Sequence, residues 1–229
     1  MEPKVALDGM SGGIFITGTD TGVGKTHFSA LLLKALRKNG LDAVGIKPFC
    51  CGERTDGELL YEAAERVEPL ELVNPVWLRV PASPYTASLV ENRAVDVDTA
   101  RGAVEQLRSR HQFVVVEGIG GWRVPLTAQL CMSDFALELG LPVLVVSANR
   151  LGAINHTQLT VDAIFAKGGT CAGVVLNEVM QLTSDAATIT NRGVLEQLLP
   201  VPVLGQIEWG STELDPALLS VLQRQRLVP

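Results

Sequence analysis

Basic runs, zinc-type cysteine pairs and long apolar stretches are all missing from this sequence, and each absence removes a class of function. Of 229 residues, 19 are Lys or Arg and 25 are Asp or Glu, for a formal net charge of −6. No lysine and arginine cluster supplies the footprint of a nucleic-acid binder. The four cysteines, Cys50, Cys51, Cys131 and Cys171, form no C-x-x-C pair, and two are adjacent. Neither a zinc site nor a disulfide framework is indicated, and the thiols read as reduced ones in a cytoplasmic protein. No uninterrupted apolar run approaches the ~20 residues that cross a bilayer. The N-terminal MEPKVALDGMSGG has neither the apolar region nor the cleavage pattern of a secretion signal. Aromatic residues make up only 5 %, against 47 % hydrophobic in all. The core must come from Val, Leu, Ala and Ile, which suits parallel strands covered by helices on both faces. No Ser-His-Asp set or reactive-cysteine signature is visible. His27, His111 and His156 read as structural, and Cys50 and Cys51 as pocket lining.

What recurs is a short apolar run followed by an amphipathic segment. IFITG (14–18), AVGIKP (43–48), FVVVEG (113–118), PVLVVSA (142–148), AGVVLNE (172–178) and VPVLGQI (201–207) read as strands. Phe28, Leu31, Leu32, Ala35 and Leu36 fall at helical spacing, and Gly40 stops that helix. ELLYEAAERV, TARGAVEQLRSR with Asp98 as its cap, INHTQLTVDAIFAKGG and DPALLSVLQRQR read as further helices. Residues 70–96, rich in Pro, Asn and Ser, read as irregular. The alternation predicts an α/β fold with a doubly wound, mostly parallel sheet. The length fits one domain, 1–229, with residues 1–12 a flexible extension. Ligands of such sheets bind at the carboxyl ends of the strands.

The stretch GTDTGVGKT (18–26) sits directly between a strand and a helix. Gly22 and Gly24 permit conformations that turn successive N–H groups toward phosphate oxygens. The following helix adds its positive end. Lys25 can reach the β- and γ-phosphates, and the Thr26 hydroxyl can bind Mg²⁺. Gly22, Val23, Gly24, Lys25, Thr26 and His27 thus form the expected nucleotide-binding stretch. The first glycine, Gly18, is one place earlier than in G-x-x-x-x-G-K-[ST], so the loop is a residue longer than usual.

That loop, with GIKP (45–48), VVVEGIGGWRVPL (114–126), LPVLVVSANRLGAINHTQLT (141–160), GVVLNE (173–178) and VPVLGQIEW (201–209), resembles the dethiobiotin synthetases. The resemblance runs from Gly13 to about Trp209. It implies ATP and Mg²⁺ as cofactors, and diaminopelargonate and CO2 as substrates. It also implies a homodimer, with no nucleic-acid or membrane partner. By the match, Glu117 joins Thr26 and Asp56 as metal ligands; on the residues alone, Glu117 could be a solvated strand end and Asp56 a helix cap. Lys47, at a strand end where a lysine is usually just solvated, would sit beside the transferred phosphate and the carbamate. Thr21 would face the reacting centre, and Gly120 would let backbone approach the ligand. Ser83, in PASPYTAS, is the candidate beside the substrate amines. Cys51 stands where the family commonly has Ser, Tyr85 where it has His, and Ile119 where Ala is usual. Asn177 would contact adenine, although an ordinary Asx turn reads equally well there; Glu208 replaces a frequent proline nearby. Gly152, Ala153, Ile154 and Asn155 would hold the carboxylate tail of the substrate bound to the neighbouring subunit, with Asn155 capping its helix.

The reading is an ATP-dependent ring-closing ligase. An amide ligase of the cobyrinate-synthase type normally carries a glutamine-hydrolysing domain, for which this chain has no room. A partition-type ATPase switch usually shows K-G-G-x-G-K-T, whereas Thr19, Asp20 and Thr21 occupy the early loop here. A related ligase with an altered substrate stays open.

Overall fold

The computed structural model describes residues 12–181 and 186–229. Residues 1–11 of the expected extension lie outside them; Gly12 already accepts a hydrogen bond from the Val114 N–H at 3.0 Å. In chain order the elements are β1 (Gly13–Gly18), α1 (Lys25–Lys38), β2 (Ala43–Ile46), β3 (Phe49–Cys51), α2 (Thr55–Ala63), α3 (Leu70–Val73), β4 (Val76–Leu78), α4 (Pro84–Glu91), α5 (Val97–Arg110), β5 (Phe113–Glu117), α6 (Met132–Glu138), β6 (Val143–Ala148), α7 (Ala153–Ala166), β7 (Cys171–Asn177), α8 (Ala186–Leu198), β8 (Val203–Ile207) and α9 (Pro216–Arg224).

Six strands form one sheet in the order β2-β5-β1-β6-β7-β8. Each pairing is parallel. Because side chains alternate across a strand, a continuous apolar strand feeds two cores. Phe15, Val114, Val116 and Val145 join the core on one face. Ile14, Ile16, Val115, Leu144 and Val146 join the other, where Phe28, Leu32 and Leu36 of α1 pack. Val114, Val115 and Val116 are fully buried, each contributing about 1.5–3 kcal/mol. This rigid centre presents the carboxyl ends of β1 and β5 side by side.

Three expectations are corrected. Residues 70–96 hold α3, β4 and α4, and β4 pairs with β3 in a separate two-stranded parallel sheet. The Ser83-Pro84 pair is not loop material: Ser83 accepts from the Thr86 N–H as N-cap, and Pro84 takes the first helical position. The cap of α5 is Asp96, not Asp98, its carboxylate accepting from the Thr99 N–H at 2.9 Å. The second helix starts earlier than ELLYEAAERV and ends at Ala63, beyond which Glu65 and Arg66 both adopt φ of 58°. Helices α6 and α8 were marked by no recognised pattern.

Candidate active site

The loop after β1 is shaped by two glycines in the left-handed region, Gly22 at φ 72° and Gly24 at φ 91°. A Cβ on Gly24 would lie 2.0 Å from Asn177 Nδ2, so any side chain there would collide. Gly24 is also the N-cap of α1 and offers no side-chain acceptor. The first N–H groups of that helix therefore remain free for an anion. Lys25 folds back across the loop, its Nζ donating to the Asp20 carbonyl at 3.0 Å. Burial, helped by the nearby Lys47 charge, pulls its ammonium down to about 8.

A charged cluster lies directly below. Thr26 Oγ1 donates to Glu117 Oε1 at 2.7 Å. Lys47, in the residue after β2, reaches Glu117 Oε1 at 2.6 Å and Asp56 Oδ2 at 2.7 Å. Burial alone would lower the Lys47 ammonium, but Glu117 and Asp56 outweigh it and hold it above its ordinary value. Burial would likewise raise the Asp56 carboxyl, yet Lys47 holds it below the usual range. Glu117 is fully buried. Its Oε2 has no hydrogen-bond partner among the described residues, although a carboxylate oxygen in a protein interior needs one. This acceptor, with the Thr26 hydroxyl and Asp56, forms a set of hard oxygen donors. Such a set fits Mg²⁺, which keeps several waters and takes further ligands from phosphate. No cluster of three or more His, Cys, Asp or Glu suited to a metal occurs among the described residues.

Above this cluster opens a cavity of about 790 Å³. Thr21, Gly22, Gly24, Lys25, Thr26, Lys47, Cys51, Asp56, Ser83 and Gly120 of the expected site all line it. Glu117 is not part of the lining; it is buried behind it, bonded to the lining residues Thr26 and Lys47. Gly120, at φ 58°, brings its backbone beside Thr21: a Cβ there would lie 3.4 Å from Thr21 Oγ1 and 2.6 Å from Val124 Cγ2. Cys50, Glu53, Thr55, Pro81, Ala82, Ile119 and Val124 complete the wall. Cys50 was read from the sequence as pocket lining, and Thr55 could have been found as the neighbour of Asp56; Glu53 carries no sequence signal. Burial pushes the Cys51 thiol up to about 12 and the Cys50 thiol to about 11. These are protonated lining groups, not nucleophiles.

The remaining expected residues lie apart from the cavity. Val23 is buried in the α1 core. His27 is on the exposed face of α1. Asn177 is buried behind the loop, its Nδ2 donating to the Val23 carbonyl at 3.1 Å, while its Oδ1 has no partner among the described residues. Gly152, at φ 92°, is itself the N-cap of α7. Asn155 therefore does not cap the helix; it is exposed on the first turn, where glycine already supplies the chain reversal. Beside it, His156 and Leu159 line a groove with Asp20 and Trp122.

The lowered Lys25 ammonium sets a pH dependence. Phosphate favours the charged amine, so binding must take up protons wherever the free amine is neutral, above about pH 8. ADP affinity in EDTA should be flat near pH 7 and fall as pH rises from 8 to 9. Calorimetry in two buffers of different ionisation enthalpy should show proton uptake at pH 8.5. Release of protons there would contradict the burial of Lys25.

No helix among the described residues is long and apolar enough to cross a membrane. Solved structures with the same fold include the signal recognition particle receptor FtsY from Elizabethkingia anophelis in complex with GDP. It has a TM-score of 0.58 and 15 % identity, covering all of this chain and 67 % of that one. A plasmid partition protein from Borrelia burgdorferi B31 bound to AMPPNP aligns with a TM-score of 0.57 and 12 % identity, over 95 % of this chain and all of that one. At such identities these neighbours establish the phosphate-loop NTPase fold alone. A family model described as an AAA domain matches residues 12–216. The ATP-dependent dethiobiotin synthetase BioD of Akkermansia muciniphila is 44 % identical over 200 residues, covering 87 % of this chain and 93 % of the relative. The enzyme of the same name from Anaeromyxobacter dehalogenans strain 2CP-1 is 50 % identical over 169 residues, 72 % of this chain and 76 % of the relative. With a nucleotide loop, a buried carboxylate and two converging lysines in one cavity, and with relatives this similar along most of its length, the chain belongs to the ATP-dependent dethiobiotin synthetase family of ligases.

Proposed function

We propose that this protein joins 7,8-diaminononanoate (diaminopelargonate) and CO2 into the cyclic urea dethiobiotin, converting ATP to ADP and phosphate in the cytoplasm. One substrate amine captures CO2 as a carbamate and releases a proton. A carbamate oxygen attacks the γ-phosphorus and ADP leaves, giving a carbamic–phosphoric anhydride. The second amine attacks the anhydride carbonyl and expels phosphate, closing the ring.

No step needs a covalent protein nucleophile, which agrees with the protonated thiols of Cys50 and Cys51. The protein's work is positioning and fixed charge. Lys25 and the N–H groups at the start of α1 hold the phosphates. Lys47 would stabilise charge on the carbamate and the transferred phosphoryl. Thr26, Asp56 and Glu117 would hold Mg²⁺, which supplies charge neutralisation at the β- and γ-phosphates when bound. Thr21, Ser83, Gly120 and Cys51 face the space left for the diamine. The Asn177 Oδ1, without a partner among the described residues, would be the acceptor for an adenine edge. Gly152 to Asn155 would receive the carboxylate tail from a partner subunit in a homodimer; exposed Leu151 and Leu159 beside them support a covered face.

The observation that carries this reading is that Lys25, Lys47, Thr26 and Asp56 line one cavity, with buried Glu117 bonded to two of them. The test is phosphate release with each component omitted in turn. Release should require the diamine and bicarbonate together and should ignore DNA and liposomes. Stimulation by DNA or lipid, with none by the diamine, would favour a nucleotide switch instead.

A further inference from the structure

A second buried polar cluster lies directly behind Lys47, and the reaction chemistry does not use it. Asn74 is completely buried. Its Nδ2 donates to the Lys47 carbonyl at 2.7 Å. Its Oδ1 accepts from Arg54 Nε at 2.9 Å, and its main-chain oxygen from Arg54 Nη2 at 2.8 Å. The Lys47 N–H donates to the Val73 carbonyl at 2.8 Å. Residues 73 and 74 thus hold the Lys47 backbone through both its N–H and its carbonyl.

Arg54 connects this grip to the opposite partner of the lysine. It is the N-cap of α2, whose first turn carries Asp56, and its carbonyl accepts from the Glu58 N–H at 3.1 Å. The guanidinium lies 5.6 Å from the Trp77 ring centroid, a cation–π distance. Trp77 is itself fixed by donating to the Gly52 carbonyl at 2.8 Å. A Cβ on Gly57 would come within 2.7 Å of Asn74 Cβ, so only glycine lets the first turn of α2 rest on Asn74. One planar fork therefore ties the start of α2 to the same amide that ties down Lys47.

We propose that Asn74 and Arg54 are positioning residues that set the Lys47–Asp56 pair in register and, through Asp56, complete the Mg²⁺-binding set. A fully buried Asn and a partly buried Arg cost desolvation that an apolar pair would avoid. Both ends of this network terminate on backbone that carries the site's charged groups, which gives that cost a use. The inference rests on the functional reading only in taking Asp56 as a metal ligand.

The test is a double-mutant cycle on the full chain, read by ADP affinity in EDTA and in Mg²⁺ and therefore independent of the diamine. Asp56→Asn should reduce the tightening that Mg²⁺ confers. Arg54→Lys keeps the charge but loses the two-point fork, and Asn74→Asp keeps the acceptor but loses the donor to Lys47. Each should reduce the tightening by about threefold to tenfold, and neither should reduce it further in the Asp56→Asn background. Affinity in EDTA should stay within about twofold of wild type, because the phosphate loop is untouched. Independent, multiplying losses, an unchanged tightening, or equal losses with and without metal would overturn the proposal. If Asn74→Asp does not fold, the Arg54→Lys cycle decides alone. If Asp56→Asn itself leaves the tightening intact, this inference falls, while diamine-dependent phosphate release by the wild type still decides the ligase reading separately.

Discussion

Lys47→Met should lower turnover about 10²–10³-fold, the loss typical of removing one preorganised charge or donor from a developing anion. It should also destabilise the ligand-free protein by about 3–5 kcal/mol, because it strands a buried carboxylate. Lys47 is 1 % exposed and Glu117 is 0 % exposed, so water cannot take over the lost contact. Methionine preserves the stem volume and removes only the ammonium, which separates charge from packing. Adding Glu117→Gln to that variant should restore most of the stability, since the stranded charge is gone, but no turnover. Denaturant midpoints and single-turnover phosphate release read the two effects apart. A Lys47→Met enzyme with near-normal turnover would remove this lysine from the mechanism.

The second large effect tests whether the site is shared between subunits. Lys25→Ala should abolish turnover, since it removes the phosphate-facing ammonium of its own loop. Asn155→Ala should be impaired strongly at limiting diamine, since a carboxylate contact contributes binding energy in the main. The motivation is structural: Asn155 is exposed on α7 and is absent from the cavity lined by Lys25. Unfolding and refolding the two variants together in equal amounts makes half of the dimers mixed. In each mixed dimer one site inherits both defects and the other neither. Activity should recover to about a quarter of wild type, by counting sites in a two-fold symmetric dimer. A mixture giving only the mean of the two single variants would place Asn155 outside the shared site.

The sheet strands and the phosphate loop were legible in the sequence because their signals are local. A fully apolar run such as FVVV (113–116) can only be buried on both faces, and GKT between a strand and a helix leaves few alternatives. The two-stranded sheet of β3 and β4 was not legible, since three residues carry no measurable period. Asp96 and Asp98 both precede the same helical pattern, and only backbone geometry decides that Asp96 caps. Likewise, the expected cap at Asn155 yields to Gly152, because a left-handed glycine three residues earlier had already begun the helix. The site itself divides the same way. Thr26 and Glu117 are 91 residues apart, and they could be paired beforehand only because each belongs to a motif. Arg54 and Asn74 belong to none; their hydrogen bonds across 20 residues follow from the packing of α2 on the segment before β4.

The central claim is that the two amines and CO2 become one ring at the expense of ATP. Incubating the protein with the diamine, ATP, Mg²⁺ and isotopically labelled bicarbonate, then weighing the product by mass spectrometry, tests it directly. The account requires a cyclic urea carrying the label at its carbonyl, formed in equal amount to the phosphate released. Phosphate released without a labelled urea, or a product lacking the label, would contradict it.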